Sequence, residues 1–163
     1  MIATISIDRL DLTSTKTFTE VLTAIRNAVG RPNIAELWSA IHQTQSVAEM
    51  EAVVRDQIGE SGLMLFMEFD HGAIVRKGTE RETPRIVRLL IGNPLIMKEM
   101  AKHVSDAGSY APITVLIAER SDGVHISYDR MASLLAPYGN QDALEVAKDL
   151  DAEVEDLLHR AAG

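Results

Sequence analysis

Glu68 is the polar residue of this sequence whose surroundings explain it least. It lies in the second half of the apolar run LMLFMEFDHGAIV, Leu63 to Val75. Side chains alternate between the two faces of a strand, so Glu68 is expected to share a core-like face with Met64. A carboxylate there must be paired, hydrogen-bonded, protonated or placed at a pocket rim. The sequence leaves three possibilities open: an ion pair with Arg85 or Arg88 on a neighbouring strand, a pocket-lining role, and exposure at the end of the sheet.

The tripeptide Asp70-His71-Gly72 comes two residues after Glu68. Aspartate and glycine are turn formers, so a turn explains two of the three residues without any function. Histidine titrates near neutral pH, and His71 could therefore act as an acid, a base or a ligand. The alternative is a histidine that is merely exposed at a turn.

A second candidate is Gly92-Asn93-Pro94, within LLIGNPLIMKEM. Asn93 is a good helix N-cap, and Pro94 suits the first helical turn, where no backbone N–H is needed. The free N–H groups at such a helix start can also hold an anion. The chain lacks the GxGxxG and GxxxxGK[ST] patterns, so nucleotide binding is not supported. Capping alone and an anion site both remain open.

Two further features could contribute to a ligand site. Tyr110 precedes Ala111-Pro112 at the start of a predicted strand, where its hydroxyl could point into a cleft or cap the sheet edge. The segment from Arg76 to Arg88 carries five basic and two acidic residues. It is either a solvated loop or a grip for an anionic ligand or for the acidic surface of a partner.

Several classes of site are not predicted. The chain has no cysteine, which excludes disulfides, thiolate metal sites and thiol nucleophiles. Its five histidines show neither an HExxH motif nor a paired spacing. A GxSxG nucleophile elbow is also missing. We therefore expect no metal and no cofactor.

The charge balance limits the classes of partner. The formal net charge is −8, and nucleic-acid binding needs positive charge facing the phosphates. No run approaches ~18 consecutive apolar residues, so no membrane-spanning helix is predicted. The N-terminus does not follow the pattern of a signal peptide. We expect a soluble cytoplasmic protein.

Local signals predict an opening strand and three short helices. The strand is expected from Ala3 to about Leu12, with a bulge or bend where the apolar phase changes at Asp8-Arg9. Each helix begins with a capping residue followed by a glutamate three positions later. The pairs are Thr17 with Glu20, Asn33 with Glu36, and Ser46 with Glu49. One apolar face on each helix predicts a layer lying on a sheet.

The rest of the chain is predicted to alternate strands with helices. The predicted segments are strands at Leu63 to Asp70 and Ala73 to Arg76 around an Asp-His-Gly turn, a strand at Arg85 to Ile91, a helix from Pro94 to about Val104, strands at Ile113 to Glu119 and Val124 to Tyr128 joined by RSDG, and a final helix at about Gln141 to His159. This order predicts an α+β fold, a two-layer sandwich whose largely antiparallel sheet of about five to six strands is covered by helices. We expect one domain over residues 1–163, with a helical insertion at about 30–60.

Three segments, SGLMLFMEFDHGAIV, IGNPLIMKEM and SYAPITVLIAE, carry a family resemblance. Their order is similar to that of the bacterial and archaeal family known as domain of unknown function number 302. The resemblance covers Leu63 to about Leu158, with Thr15 to Val29 as the family's first helix. It is closest to a longer branch in which Gly30 to Ile58 supplies extra helices. Its most specific element is Asn93-Pro94, and the family's strand glutamate corresponds to Glu68.

The resemblance implies a two-layer α/β fold that is often dimeric, and no established reaction or ligand. One departure matters for chemistry. Many shorter members have a cysteine just before Asn-Pro, where this chain has Gly92. A thiol-dependent role would not carry over to this chain.

The leading functional hypothesis is a homodimeric domain that binds a small anionic ligand in a cleft. Glu68, His71, Asn93 and Tyr110 are the expected ligand-binding residues. The alternative is an enzyme with Glu68 or His71 as general acid or base near the Gly92-Asn93-Pro94 helix start. A third possibility is an interaction module that uses the final helix as a dimer face.

Overall fold

Five strands form one antiparallel sheet in the computed structural model, which describes residue 2 and residues 4–163. The strands are β1 (Arg9–Ser14), β2 (Met64–Asp70), β3 (Ile86–Gly92), β4 (Ile113–Arg120) and β5 (Gly123–Asp129). They lie in the order β1-β5-β4-β3-β2, and every neighbouring pair is antiparallel. The predicted antiparallel sheet is confirmed, with β1 and β2 at its edges.

The helices whose N-caps were predicted begin at those signals, and the described residues contain seven α-helices in all. They are α1 (Phe18–Ala28), α2 (Ile34–Gln43), α3 (Val47–Arg55), α4 (His71–Val75), α5 (Pro94–Ala101), α6 (Met131–Leu135) and α7 (Gln141–Ala162). Thr17 forms a complete capping box with Glu20, and the side chains of Asn33 and Ser46 cap α2 and α3. In the described part of the chain, no helix combines the length and apolar character needed to cross a bilayer.

One face of the sheet is covered by helices, with α1 and α7 packed on it and on each other. Alternate residues of each strand point to this face, and central ones such as Leu89, Val115 and Ile126 are fully buried. Ile25 from α1 and Leu157 from α7 belong to the same core. The predicted two-layer α+β sandwich is confirmed.

The other face of the sheet, here called the open face, carries the remaining strand residues. Met67 is 50% exposed and Phe69 is 36% exposed there. Paired charges and threonines lie beside them, and Arg88 donates a hydrogen bond of 3.1 Å to the Thr114 hydroxyl. The open face is therefore a mixed surface of apolar and charged side chains.

Helices α2 and α3 form a small second core of their own. Leu37, Val54 and Met64 are buried together, with Phe66 and Leu95 packed against them. The helical segment thus lies at the Met64 end of the edge strand β2 and does not extend the main helical layer. This position brings the α2 side chains next to the start of α5.

The opening strand was predicted too early in the chain. Strand β1 begins at Arg9, which pairs with Asp129, the last residue of β5. One more backbone hydrogen bond, of 2.9 Å from the Arg130 N–H to the Asp8 carbonyl, follows the paired residues, and Ile5 and Ile7 before it are exposed. The predicted start, Ala3, lies outside the described residues. The change of phase at Asp8-Arg9 therefore marks the beginning of the strand.

The predicted strand from Ala73 to Arg76 is wrong, since this segment belongs to α4 and the residue after it. The Asp70 carboxylate accepts a hydrogen bond of 2.8 Å from the Ala73 N–H and caps this helix. The Asp-His-Gly sequence therefore starts a helical turn. Gly72 is buried at this turn, and a Cβ there would lie 2.7 Å from the Ile86 nitrogen.

A bulge at Phe66 changes the face that Glu68 occupies. Leu65 pairs with Ile91 but Met67 pairs with Leu90, so β2 has one extra residue there. Beyond such a bulge the alternation of faces is reversed. Glu68 pairs with the buried Leu89 and therefore points to the helix-covered face, opposite to the face predicted from simple alternation.

Candidate functional site

Glu68 forms an ion pair with Arg26 of α1. The Arg26 Nε donates to Glu68 Oε2 at 3.0 Å, and Nη2 contacts Oε1. The expected partners are both engaged elsewhere, Arg85 with Glu119 and Arg88 with Thr114. The bulge explains the difference, because it turns Glu68 toward the layer that contains α1.

Glu68 also lines a depression of about 250 Å³ between α1 and the edge of the sheet. We call it the arginine depression, because three guanidinium groups contribute to it. Its charged lining residues are Arg26, Arg76, Arg85, Glu68 and Asp70, and its remaining lining residues are Phe18, Thr19, Leu22, Thr23 and Val87. The predicted basic segment therefore supplies part of the wall.

The arginines of this depression differ in their distance from the nearest carboxylate oxygen. Arg85 binds Glu119 at 3.0 Å and lies 4.8 Å from the centre of the Phe18 ring. Hydrogen bonding to Arg85 holds the pKa of Glu119 below its usual range. Arg76, by contrast, is 3.9 Å from its nearest carboxylate oxygen, on Asp70.

His71 lies apart from this depression. It is the first residue of α4, and its ring stacks on Phe69 with the centroids 5.9 Å apart and the planes 7° apart. Phe69 belongs to the open face, so His71 borders the opposite side of the sheet from Glu68. The two candidate acid–base residues therefore do not share a pocket.

Both functional groups of the Asn93 side chain are used within the chain. Its Oδ1 accepts from the Leu95 N–H at 2.8 Å, which caps α5. Its Nδ2 donates to the Gly62 carbonyl at 2.9 Å, which ties the helix start to the loop before β2. The prediction that Asn93 caps a helix is therefore confirmed, and its amide has a structural role.

An apolar pocket of about 210 Å³ lies beside Asn93 at the change from β3 to α5. We call it the switch pocket. Its lining residues are Trp38, Phe66, Gly92, Asn93, Pro94, Ile96, Met97, Met100, Gly108, Ala111, Pro112, Ile113 and Leu150. Helix α2 delivers Trp38 to the rim, where 39% of the residue is exposed. The bulged residue Phe66 forms another wall.

Tyr110 lines a third depression, of about 480 Å³, which reaches the open face near Arg88 and Thr114. Its hydroxyl lies 3.0 Å from that of Tyr138. This hydrogen bond is the main cause that raises the pKa of Tyr138 to about 12. Tyr110 does not line the switch pocket or the arginine depression.

The four predicted ligand-binding residues are thus distributed over the molecule. Glu68, Asn93 and Tyr110 line three different depressions, and His71 lies at the edge of the open face. Sequence reasoning missed Trp38 and Phe66, whose apolar character read as ordinary packing. The available signal was that Trp38 is the single tryptophan of the chain.

Across residue 2 and residues 4–163, no group of three or more histidine or acidic side chains is placed to hold a metal ion. The switch pocket offers a ligand mainly apolar contacts, and the arginine depression offers guanidinium N–H donors.

A family model for the domain of unknown function DUF302 matches residues 39–161. The chain belongs to the DUF302 family. Among solved structures, the crystal structure of an uncharacterised conserved DUF302 protein from Bacillus stearothermophilus has a TM-score of 0.66 to this chain. The two are 12% identical, and the similarity covers 94% of this chain and 97% of that one. At this identity the likeness establishes the shared fold alone. No curated protein matches the sequence.

Proposed function

We propose that this DUF302 domain binds a small apolar molecule in the switch pocket. The observation that carries the proposal is the lining, in which Trp38, Phe66 and two methionines enclose a cavity of about 210 Å³. Ligand sites are typically concave and mostly apolar, with few polar groups. Methionine and aromatic side chains adapt well to flat, polarisable ligands.

The size of the cavity suggests the size of the ligand. An engineered apolar cavity of roughly 150 Å³ accommodates benzene. A pocket of about 210 Å³ therefore has room for a substituted six-membered ring. Asn93 already uses both ends of its amide, so polar substituents of the ligand are expected to face the open mouth of the pocket.

This ligand class differs from the small anion that the sequence suggested. The switch pocket offers an anion no cationic side chain among its lining residues. The enzyme alternative required a carboxylate or imidazole within reach of Gly92-Asn93-Pro94, and the same lining includes neither. We therefore favour binding over catalysis at this position.

Trp38 supplies the assay, because it is the only tryptophan and lies on the pocket rim. We expect small substituted aromatics from a fragment library to change Trp38 fluorescence saturably and to raise the melting temperature. Gly92→Leu should abolish both effects, because a Cβ at this position lies 3.5 Å from Pro112 and 3.6 Å from the Phe66 ring. Gly92→Ala, which adds a single methyl group, is the matched control.

Each result of this binding experiment leads to a different conclusion. A library in which no compound binds the wild type would overturn the proposal. Binding that persists unchanged in a folded Gly92→Leu variant would place the ligand elsewhere. Retained binding in Gly92→Ala together with loss in Gly92→Leu is the expected pattern.

We also propose that two copies associate through the open face. Met67 and Phe69 are exposed there, although the His71 ring stacks on part of Phe69. Arg9 and Asp129 form an ion pair on the same face, so both signs of charge are available to a symmetric partner. The final helix does not offer such a face, because Leu150, Val154 and Leu157 are buried within the chain.

Light scattering after size exclusion tests this association. Phe69→Lys should lower the molar mass from that of a dimer to that of a monomer. Ile74→Lys is the control, because Ile74 is 74% exposed on α4 and lies outside the open face. A wild type that is monomeric at all accessible concentrations would contradict the dimer.

A further inference from the structure

We propose that the arginine depression is a second binding site, for a small multivalent oxyanion such as a phosphate group. This site is separate from the switch pocket and shares no lining residue with it. Its lining has three guanidinium groups against the carboxylates of Glu68 and Asp70. Arg85 is also paired with Glu119 outside the lining, so the three guanidinium groups face three carboxylates, and what sets the site apart is the loose pairing of Arg76 with Asp70.

Two of the three arginines are held in place by the protein. Arg26 engages both oxygens of Glu68. Arg85 engages Glu119, and its Nη1 also lies 3.3 Å from the Thr19 hydroxyl. Such paired guanidinium groups are oriented in advance, which lowers the entropy cost of binding an additional ligand.

Arg76 has donors that the protein leaves available. Its side chain is only 19% exposed, yet its nearest carboxylate oxygen is 3.9 Å away on Asp70. The other oxygen of Asp70 caps α4 through the Ala73 N–H. Among the described residues, the Pro84 carbonyl is the hydrogen-bond acceptor of the Arg76 guanidinium, at 2.8 Å. Within the described part of the chain, four of the five guanidinium N–H donors of Arg76 therefore have no hydrogen-bond acceptor.

The backbone around Arg76 is built to admit it. A Cβ on Gly72 would collide with the Arg76 Nη1 and would lie 2.7 Å from the Ile86 nitrogen. Glycine at position 72 thus lets the guanidinium lie directly against α4. The depression, the oriented neighbours and the partly buried Arg76 guanidinium together describe a site in which N–H donors remain available to a ligand.

The chemistry of these donors selects the class of ligand. A guanidinium group presents parallel N–H donors that match the oxygens of a phosphate or carboxylate. The hydroxyls of Thr19 and Thr23 are further donors on the wall. Glu68 and Asp70 repel an anion, so we expect it to lie on the Arg76 and Arg85 side of the depression. A doubly charged oxyanion gains more from this arrangement than a singly charged one.

The test is a titration of the full chain with inorganic phosphate, followed by calorimetry and by the melting temperature, against sodium chloride at matched ionic strength. We expect saturable binding of phosphate and none of chloride. Arg76→Gln should weaken phosphate binding at least ten-fold. Arg55→Gln should leave it unchanged, because Arg55 pairs with Glu51 on α3, away from the site.

A second variant should change the affinity for phosphate in the opposite direction while keeping the fold. Asp70→Asn removes one negative charge from the wall but retains an N-cap acceptor, since asparagine caps helices as well as aspartate does. It should tighten phosphate binding roughly three-fold. Equal binding by wild type, Arg76→Gln and Asp70→Asn would overturn the proposal, as would an equal response to chloride.

Phosphate monoesters distinguish a free ion from a phosphorylated ligand. Tighter binding of glycerol phosphate than of inorganic phosphate would indicate that the site takes a phosphorylated small molecule. Equal or weaker binding would indicate the free ion. Gly92→Leu should bind phosphate normally, so failure of the switch-pocket proposal and failure of this one are distinguishable.

Discussion

The guanidinium of Arg26 on α1 donates hydrogen bonds to both carboxylate oxygens of Glu68 on the edge strand β2. The contact joins the helical layer to the sheet across 42 positions of sequence. Glu68 is partly buried, and a carboxylate in that position without a partner would be destabilising. The pair therefore accounts for the residue that looked most anomalous in the sequence.

A double-mutant cycle on Arg26→Gln and Glu68→Gln measures this pair. We expect a coupling free energy of about 1 kcal/mol, because the pair is bidentate but partly screened by water. Urea denaturation of the wild type, both single variants and the double variant gives the value. A coupling near zero would show that the two charges contribute independently.

Asp151 is the most deeply buried charge of the fold, with no exposed surface. Its carboxylate accepts hydrogen bonds from the Tyr128 hydroxyl at 2.6 Å, the Met131 N–H at 2.7 Å and the Ala132 N–H at 3.0 Å. It thereby joins α7 to the end of β5 and to the first turn of α6. Three donors, two of them fully buried, hydrogen-bond to this one side chain.

Asp151→Ala should lower the free energy of unfolding by about 3 kcal/mol, because it leaves the Tyr128 hydroxyl and the Ala132 N–H without their acceptor and weakens the hydrogen bonding of the Met131 N–H. Asp149→Ala is the control, since Asp149 is exposed on the same helix. Urea denaturation compares the two. Losses of similar size in both variants would mean that helix α7 tolerates any loss of charge equally.

The local signals of the sequence were reliable because they depend on adjacent residues. Thr17 and Glu20 satisfy each other within one helical turn, and Asn93 caps α5 in the same way. Asp70 shows the limit of such signals. Aspartate favours both turns and helix N-caps, so local chemistry did not distinguish a hairpin from the short helix α4.

The face of Glu68 and its partner could not be read from the sequence for a different reason. The bulge at Phe66 is set by the pairing of β2 with β3. Its neighbours in the sequence, Leu65 and Met67, are both apolar and give no sign of it. Arg26 comes from another element, with no spacing rule that relates it to Glu68. The switch pocket likewise depends on α2 delivering Trp38 to the start of α5.

Stability at alkaline pH should reflect the burial of Tyr128. Burial and the nearby Asp151 carboxylate raise the pKa of Tyr128 above its ordinary value of 10.0. Above about pH 10 the unfolded chain loses this proton while the folded chain keeps it, so the free energy of unfolding falls as pH rises. Below that pH the contribution is present in full.

Urea denaturation between pH 9 and 11 tests this expectation. The fall with pH should be shallower in Tyr128→Phe, which cannot titrate there, although this variant is less stable at neutral pH. Tyr138, whose pKa is raised through Tyr110, is present in both proteins and cancels in the comparison. Parallel curves for wild type and Tyr128→Phe would contradict the assignment.

Gly92→Cys introduces the residue that many shorter family members are expected to have at this place. The variant should fold with a change in unfolding free energy of less than about 1.5 kcal/mol. The reason is geometric, because a Cβ at position 92 makes only ordinary contacts, 3.5 Å from Pro112 and 3.6 Å from the Phe66 ring. The backbone at Gly92 also avoids positive φ, which would have opposed a side chain.

The thiol of Gly92→Cys should lie in the wall of the switch pocket, which also contains Trp38. Labelling it with a benzyl thiosulfonate should therefore change Trp38 emission and block aromatic fragments from binding. Asn27→Cys is the control, because Asn27 is exposed on α1. Complete labelling at position 92, verified by mass, with unchanged emission would mean that the two residues do not share a pocket. A change confined to Gly92→Cys would place a thiol next to the proposed ligand, where shorter relatives would carry a reactive group.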